Sequence, residues 1–175
     1  MEGLTHIYYG DGSGKTTAAF GLAFRCAGRG ERVVIAQFLK GMESGEMLAA
    51  GRFPEITTLR WDGPAKFTYQ MDEGEKVSAG DACLASFEEA ARLAAADGIR
   101  LLVLDEVIDA VGCGFLSLSR LCGFLDKEKP SGLEVVMTGH SLPEKLAARA
   151  DYISRVTKEK HPYDKGVMAR KGIEF

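Results

Sequence analysis

Several features are scarce in this sequence, and each scarcity removes a class of function. No apolar run approaches the roughly 20 residues that span a bilayer, so no membrane-spanning helix is expected. The amino-terminal residues lack a charged segment followed by an apolar stretch, so no secretory signal is expected. The four cysteines, Cys26, Cys83, Cys113 and Cys122, form no Cys-x-x-Cys pair, and the three histidines, His6, His140 and His161, are scattered. That pattern argues against a structural zinc site. Without a secretion signal, the expected location is the reducing cytoplasm. The formal charge of −3 argues against a general nucleic-acid binder. There is no internal repeat, low-complexity tract or linker. A chain of 175 residues fits one domain, 1–175, and is long enough to bury one sizeable core.

What is present centres on Gly10-Asp11-Gly12-Ser13-Gly14-Lys15-Thr16-Thr17. An apolar run, Leu4 to Tyr9, leads into it, and a helix-forming run, Thr17 to Ala27, leaves it. Strand, Gly-rich turn, Lys-Thr and helix make a phosphate-cradling arrangement. The glycines let backbone N–H groups converge on phosphate oxygens. The helix N-terminus adds partial positive charge. Lys15 is placed to reach across the phosphates, and the Thr16 hydroxyl is placed to ligate Mg²⁺. Only Asp11, Gly12 and Ser13 separate Gly10 from Gly14, so this P-loop is one residue short of the usual spacing. A Gly-rich turn ahead of a helix cap is the simpler alternative; the preceding strand and the intact Gly-Lys-Thr-Thr favour ATP binding by residues 10–17.

The rest of the chain alternates strand and helix patterns. Strands are expected near Arg32–Phe38, Ile56–Arg60, Arg100–Leu104, Leu133–Thr138 and Tyr152–Val156. Helices are expected at Gly45–Ala50, Glu75–Ala96, Ser117–Lys127 and Pro143–Arg149. Leu84, Phe87, Ala91 and Ala94 would mark the inner face of the long one. Lys158 to Phe175 reads as a polar tail. The alternation predicts an α/β fold, a P-loop NTPase-like (RecA-like) parallel sheet with helices on both faces. Trp61, Phe67 and Tyr69 fall in a segment without periodicity. They either plug the core beneath a loop or form a binding lid, and the residues alone favour neither. Cys26, Cys83 and Cys122 fit helix interiors, whereas Cys113, between Gly112 and Gly114, is expected to be more exposed.

Leu101-Leu102-Val103-Leu104-Asp105-Glu106 resembles a Walker B strand, delivering two carboxylates beside the P-loop. Acidic groups there can hold Mg²⁺ directly or through water; a strand leading into an acidic helix start is the bland alternative. The sequence has no Asn/Thr-Lys-x-Asp motif for reading guanine and no Cys-x-x-Cys lasso of the thymidine-kinase sort, which disfavours those two P-loop classes.

Over nearly its whole length the chain resembles the P-loop type of ATP:corrinoid adenosyltransferase. The resemblance rests on the shortened loop running on to Gly21, on Gln37-Phe38-Leu39-Lys40-Gly41, on Val103-Leu104-Asp105-Glu106 and on Thr138-Gly139. It rests also on the tail Lys160-His161-Pro162-Tyr163-Asp164-Lys165-Gly166 with Gly172-Ile173-Glu174-Phe175. It implies that Co(I) of a corrinoid attacks the 5′ carbon of ATP and releases triphosphate. Lys15, Thr16 and Glu106 would then be the catalytic group, and Thr16, Asp105 and Glu106 would serve Mg²⁺. Phe67 and Tyr69 would contact the corrinoid, a reduced flavoprotein would supply electrons, and the assembly would be a homodimer. Two departures stand out. The family's Phe-x-Trp is Phe67-Thr68-Tyr69 here, and its Arg after Thr-Gly is His140, so that Arg's phosphate contact is not carried over. The first strand also begins almost at Met1, so an N-terminal cover over the site is absent or supplied otherwise. A small metabolite kinase and a non-catalytic ATP-binding regulator are the competing readings.

Overall fold

The computed structural model describes residues 2–41, 44–64, 66 and 68–174. Strands β1 (Thr5–Tyr9), β2 (Arg32–Gln37), β3 (Ile56–Leu59), β4 (Ile99–Asp105), β5 (Glu134–Gly139) and β6 (Tyr152–Arg155) form one sheet. Its order is β3-β2-β4-β5-β1-β6, and every pairing is parallel. Helices α1 (Lys15–Ala27), α2 (Gly45–Ala50), α3 (Glu73–Ala94), α4 (Val107–Gly112), α5 (Leu118–Gly123) and α6 (Glu144–Ala147) connect the strands. The expected α/β architecture is what the chain adopts.

The central strands are apolar on both faces because helices cover both. On β2 and β4, Val33, Ile35, Leu101 and Val103 pack with Ala19, Phe20, Ala23 and Ala27 of α1. Their alternates, Val34, Ala36, Leu102 and Leu104, pack with α3 on the opposite face. This is the near-continuous hydrophobic pattern of a buried parallel strand. On α3 the buried stripe is Ala79, Cys83, Phe87, Ala90 and Ala94, not the stripe through Leu84 and Ala91. Leu84 is exposed. Small residues at 79, 83 and 90 bring the helix close to the sheet around Phe87, so the larger Leu84 is left at the rim. Burying a side chain of Phe87's size stabilises by roughly 1.5–3 kcal/mol. Its ring meets Phe124 edge-on at 5.7 Å, and the Arg120 guanidinium lies 5.0 Å from its centroid. Arg120 is in turn held by Glu88 and Glu128.

Side-chain caps close some helix starts and not others. Ser44 caps α2, Ser117 caps α5, and Asp72 with Glu75 forms a capping box on α3. Each such cap satisfies an N–H group that the helix start leaves without a partner. By contrast α1 and α4, which follow β1 and β4, have no side-chain cap, and neither does the short α6. Helix α4 follows Asp105-Glu106, where a helix start is the alternative reading, and the predicted Ser117–Lys127 helix splits into α5 and a π-helical segment, Phe124–Glu128. The tail contains one 3₁₀ turn, Pro162–Lys165.

Candidate active site

In a parallel sheet all strands deliver their C-terminal ends to one edge, and ligands bind there. Here that edge brings together the loop after β1, Lys40 beyond β2, Asp105 and Glu106 of β4 and its end, and Thr138 of β5. A cleft of about 790 Å³ opens among them. Asp11, Gly12, Ser13, Gly14, Lys15, Thr16, Thr17 and Glu106 all line it.

Gly10 does not line the cleft but makes the loop possible. Its φ of 121° is open to glycine, and a Cβ there would sit 2.3 Å from the Val156 carbonyl oxygen. Gly12 is equally confined: its N–H donates to Val156 at 2.9 Å, and a Cβ would strike Thr157. The Asp11 carboxylate accepts the Lys158 backbone N–H at 3.3 Å, which with its own backbone bond holds its pKa below the usual aspartate value. The loop is therefore seated on the backbone that follows β6. Lys15 donates to the carbonyls of Gly10 and Gly12 at 2.7 and 2.9 Å, closing the loop on itself.

Asp105, fully buried, is the hub. Its Oδ1 accepts the hydroxyls of Thr138 at 2.8 Å and Thr16 at 3.0 Å. Its Oδ2 accepts Gln37 Nε2 at 3.0 Å and Lys40 Nζ at 3.1 Å. The Thr138 hydroxyl also accepts the Glu106 N–H at 2.8 Å. One carboxylate thus ties the ends of β2, β4 and β5 to the start of α1. Strand order explains how: β5 lies between β4 and β1, so Thr138 stands between the carboxylates and the loop.

Lys40 Nζ touches Thr16 Oγ1 at 3.1 Å, Asp105 Oδ2 at 3.1 Å and Glu106 Oε1 at 3.2 Å. Burial works against its charge, but Asp105 and Glu106 outweigh that and hold the ammonium above the usual lysine pKa. Burial pushes the Glu106 carboxyl up, and Lys40 pulls it part of the way back. Leu39 (φ 60°) and Glu106 (φ 64°) are the two non-glycine residues at positive φ among those described. Such a conformation costs on the order of 1–3 kcal/mol. Both stand just past or at the ends of the adjacent strands β2 and β4, where the Lys40–Glu106 pair forms.

The opposite wall includes Trp61, Met71 and Cys113. Trp61 is nearly buried, donates from Nε1 to the Pro64 carbonyl at 3.3 Å, and lies so close to Gly63 that a Cβ there would overlap its ring. It is both core plug and cleft wall. Tyr69, in the turn Thr68–Gln70, is 79% exposed and is not among the lining residues, although Thr68 and Gln70 are. Phe67 lies outside the described residues. His140, where the resemblance leads to an expectation of Arg, lines the cleft with Asp109. Its N–H donates to Asp109 Oδ1 at 2.8 Å, and its Nδ1 lies 2.8 Å from Oδ2. His161 and Glu174 bring the tail to the same cleft.

Sequence reasoning assigned no role to Lys40, Gln37 or Thr138. Their segments carried the resemblance, but only strand adjacency shows what they touch. Among the described residues no group of three or more His, Cys, Asp or Glu side chains is arranged as a metal cage. Mg²⁺ held by one or two carboxylates plus substrate phosphates needs none.

Comparison with known proteins bears on the family and the fold. A corrinoid adenosyltransferase of Pseudomonas aeruginosa is 33% identical over 175 residues, covering 99% of this chain and 84% of that protein. One from Escherichia coli K12 is 32% identical over 176 residues, covering 99% and 86%. In three dimensions the chain resembles the cytoplasmic domain of EssC, with a TM-score of 0.57 at 16% identity. That match covers 97% of this chain and 34% of the longer neighbour, and it speaks to the fold alone. The profile described as ATP:corrinoid adenosyltransferase BtuR/CobO/CobP matches residues 1–175. With the shortened loop, the Walker B carboxylates and the tail all meeting at one cleft, the chain belongs to the ATP:corrinoid adenosyltransferase family.

Proposed function

We propose that the residues of this cleft divide the work of adenosyl transfer as follows, with residues 1–175 acting as one unit. The reaction itself moves the adenosyl group of ATP to a corrinoid. The triphosphate lies on Asp11–Thr17, over the uncapped start of α1. Co(I) of the corrinoid supplies an electron pair to the 5′ carbon of ATP. A cobalt–carbon bond forms, the carbon–oxygen bond breaks, and its electrons leave with triphosphate. The protein supplies no nucleophile; it positions the reactants and stabilises the charge of the leaving group.

Lys15, released from the carbonyls of Gly10 and Gly12, serves as the main side-chain charge on the triphosphate. Thr16, Asp105 and Glu106 provide the oxygens for Mg²⁺, and Asp105 also orients Thr16 by accepting its hydroxyl. The observation that favours this is the cluster itself: three oxygens converge on one point, and a cation, the Lys40 ammonium, already sits among them at 3.1–3.2 Å. An all-oxygen donor set suits a hard cation. When bound, Mg²⁺ neutralises phosphate charge. Corrinoid binding is assigned to the Trp61–Gln70 side of the cleft, with Phe67 and Tyr69 as contacts. A reduced flavoprotein is the proposed electron donor and a homodimer the proposed assembly. No described helix is long and apolar enough to cross a membrane, and a cytoplasmic location belongs to the same proposal.

Incubation with ATP, Mg²⁺ and chemically reduced cobalamin tests the assignment. The alkyl-cobalt absorption spectrum should appear together with one triphosphate per turnover. Lys15→Ala should cut the rate by about 10²–10³, the loss typical of one preorganised electrostatic group. ADP as the product, or near-normal turnover by Lys15→Ala, would overturn it.

A further inference from the structure

We infer that Lys40 is a resident counter-cation that occupies the metal position until ATP arrives, so that the protein takes up a divalent metal only together with nucleotide. The inference rests on the reading of Thr16, Asp105 and Glu106 as the metal pocket.

The contacts of Lys40 are those of an occupant. An ammonium carries three N–H donors and no acceptor. Here the three meet three different oxygens, one each from Thr16, Asp105 and Glu106. These oxygens converge from the P-loop helix, from β4 and from the residue after β4. A hexahydrated or partly hydrated divalent ion and this ammonium therefore compete for the same acceptors. They cannot share them, because like charges at that separation repel strongly when partly buried. The Lys40 side chain is 28% exposed and that of Asp105 0%. Removing the ammonium leaves buried carboxylate charge without compensation, which is strongly unfavourable. The empty protein therefore keeps Lys40 in place.

Lysine suits exchange better than arginine would. Its charge is a compact point on a flexible four-carbon stem, not a fixed fork. The backbone that carries it is also under tension, since Leu39, its neighbour, stands at φ 60°. A metal–ATP complex brings two things that a free metal lacks. Its phosphates complete the coordination that two carboxylates and a hydroxyl leave open. They also offer the displaced ammonium a new anionic partner within the same cleft, which Lys40 and the loop line together. A free metal must evict Lys40 with neither compensation. A ligand shifts such an equilibrium only by its differential affinity for the two states.

Mn²⁺ replaces Mg²⁺ as the probe, with free Mn²⁺ counted by its paramagnetic resonance signal. Wild-type protein without nucleotide should bind Mn²⁺ weakly, and Lys40→Met should bind it about tenfold tighter or more, given the coupling energies of close charge pairs. Lys40→Gln, which keeps a polar side chain of similar reach, should behave alike and covers the case in which Lys40→Met does not fold. Adding Glu106→Gln to either variant should abolish the gain. Equal nucleotide-free Mn²⁺ affinity in wild type and the Lys40 variants would overturn the inference. If instead Glu106→Gln leaves Mn²⁺ uptake in the presence of ATP unchanged, the metal pocket itself is misassigned, which is a separate failure.

Discussion

Thr138 and Asp105 are joined by a hydroxyl–carboxylate hydrogen bond of 2.8 Å, with the two residues 1% and 0% exposed. The same hydroxyl accepts the Glu106 N–H, so it sets the direction of one carboxylate and the backbone of the next. Nothing in the sequence links position 138 to position 105; the link exists because β5 is inserted beside β4.

Thr138→Val keeps the shape and deletes the donor. It should destabilise the protein by about 1–3 kcal/mol, because a buried charged acceptor loses a partner. Urea denaturation measures this. Thr138→Ser should restore most of both stability and rate. A Thr138→Val protein as stable and active as wild type would remove Thr138 from the site.

Glu106→Gln should raise the Mg²⁺ concentration needed for half-maximal rate, since a neutral amide is a poor ligand for a hard cation. A shift of about tenfold or more is expected, the scale of changes around a bound metal. Wild-type protein without corrinoid should release little phosphate from ATP. Steady hydrolysis in that control would instead make Glu106 a base for water.

The aromatic pair at 67 and 69 should show a split phenotype. Phe67→Ala with Tyr69→Ala should sharply slow adenosylation of Co(II) cobalamin supplied with a reduced flavoprotein. It should matter much less when Co(I) is made chemically beforehand. The expectation is that flat aromatic rings lying against the macrocycle would displace an axial ligand, and cobalt that has lost one is easier to reduce. Tyr69 is mostly exposed, so its ring would have to turn in when the macrocycle binds. Equal loss in both assays would reduce the pair to general pocket shape.

The thiols give a pH test. Burial pushes Cys83 up to about 12 from an ordinary 9.0 and raises Cys113 as well. A thiol whose folded pKa is raised contributes stability below its unfolded pKa and loses it as pH climbs toward the folded one. Cys83→Ala should therefore flatten the loss of stability between about pH 9 and 12. In native protein at pH 8 a disulfide reagent should label Cys113 but spare Cys83 and Cys122. Bound ATP and corrinoid should slow labelling at Cys113, which lines the cleft. Ready labelling of Cys83 in the folded protein would contradict its burial.

The chain alone determined a great deal. The Gly10–Thr17 loop, the four apolar residues before Asp105-Glu106 and the alternation of strand with helix are local patterns, and local patterns are legible because backbone geometry and apolar periodicity act over a few residues. The wrong phase on α3 shows the limit. Leu84 and Cys83 both fit a helical stripe, and only the distance to the sheet decides which one is buried. The π turn after α5 was equally invisible, and the helix after Glu106 was legible only as an alternative, because Glu106 precedes it at positive φ under tertiary constraint. Strand order was the largest missing fact. Gln37, Lys40, Asp105 and Thr138 are far apart in sequence, and each is unremarkable there. Parallel pairing of β2 with β4 and of β4 with β5 converts them into one hydrogen-bonded cluster, because side chains at the ends of adjacent parallel strands must share an edge. Lys40 seated among Thr16, Asp105 and Glu106 is the consequence that sequence could not hold: its meaning is a set of three distances.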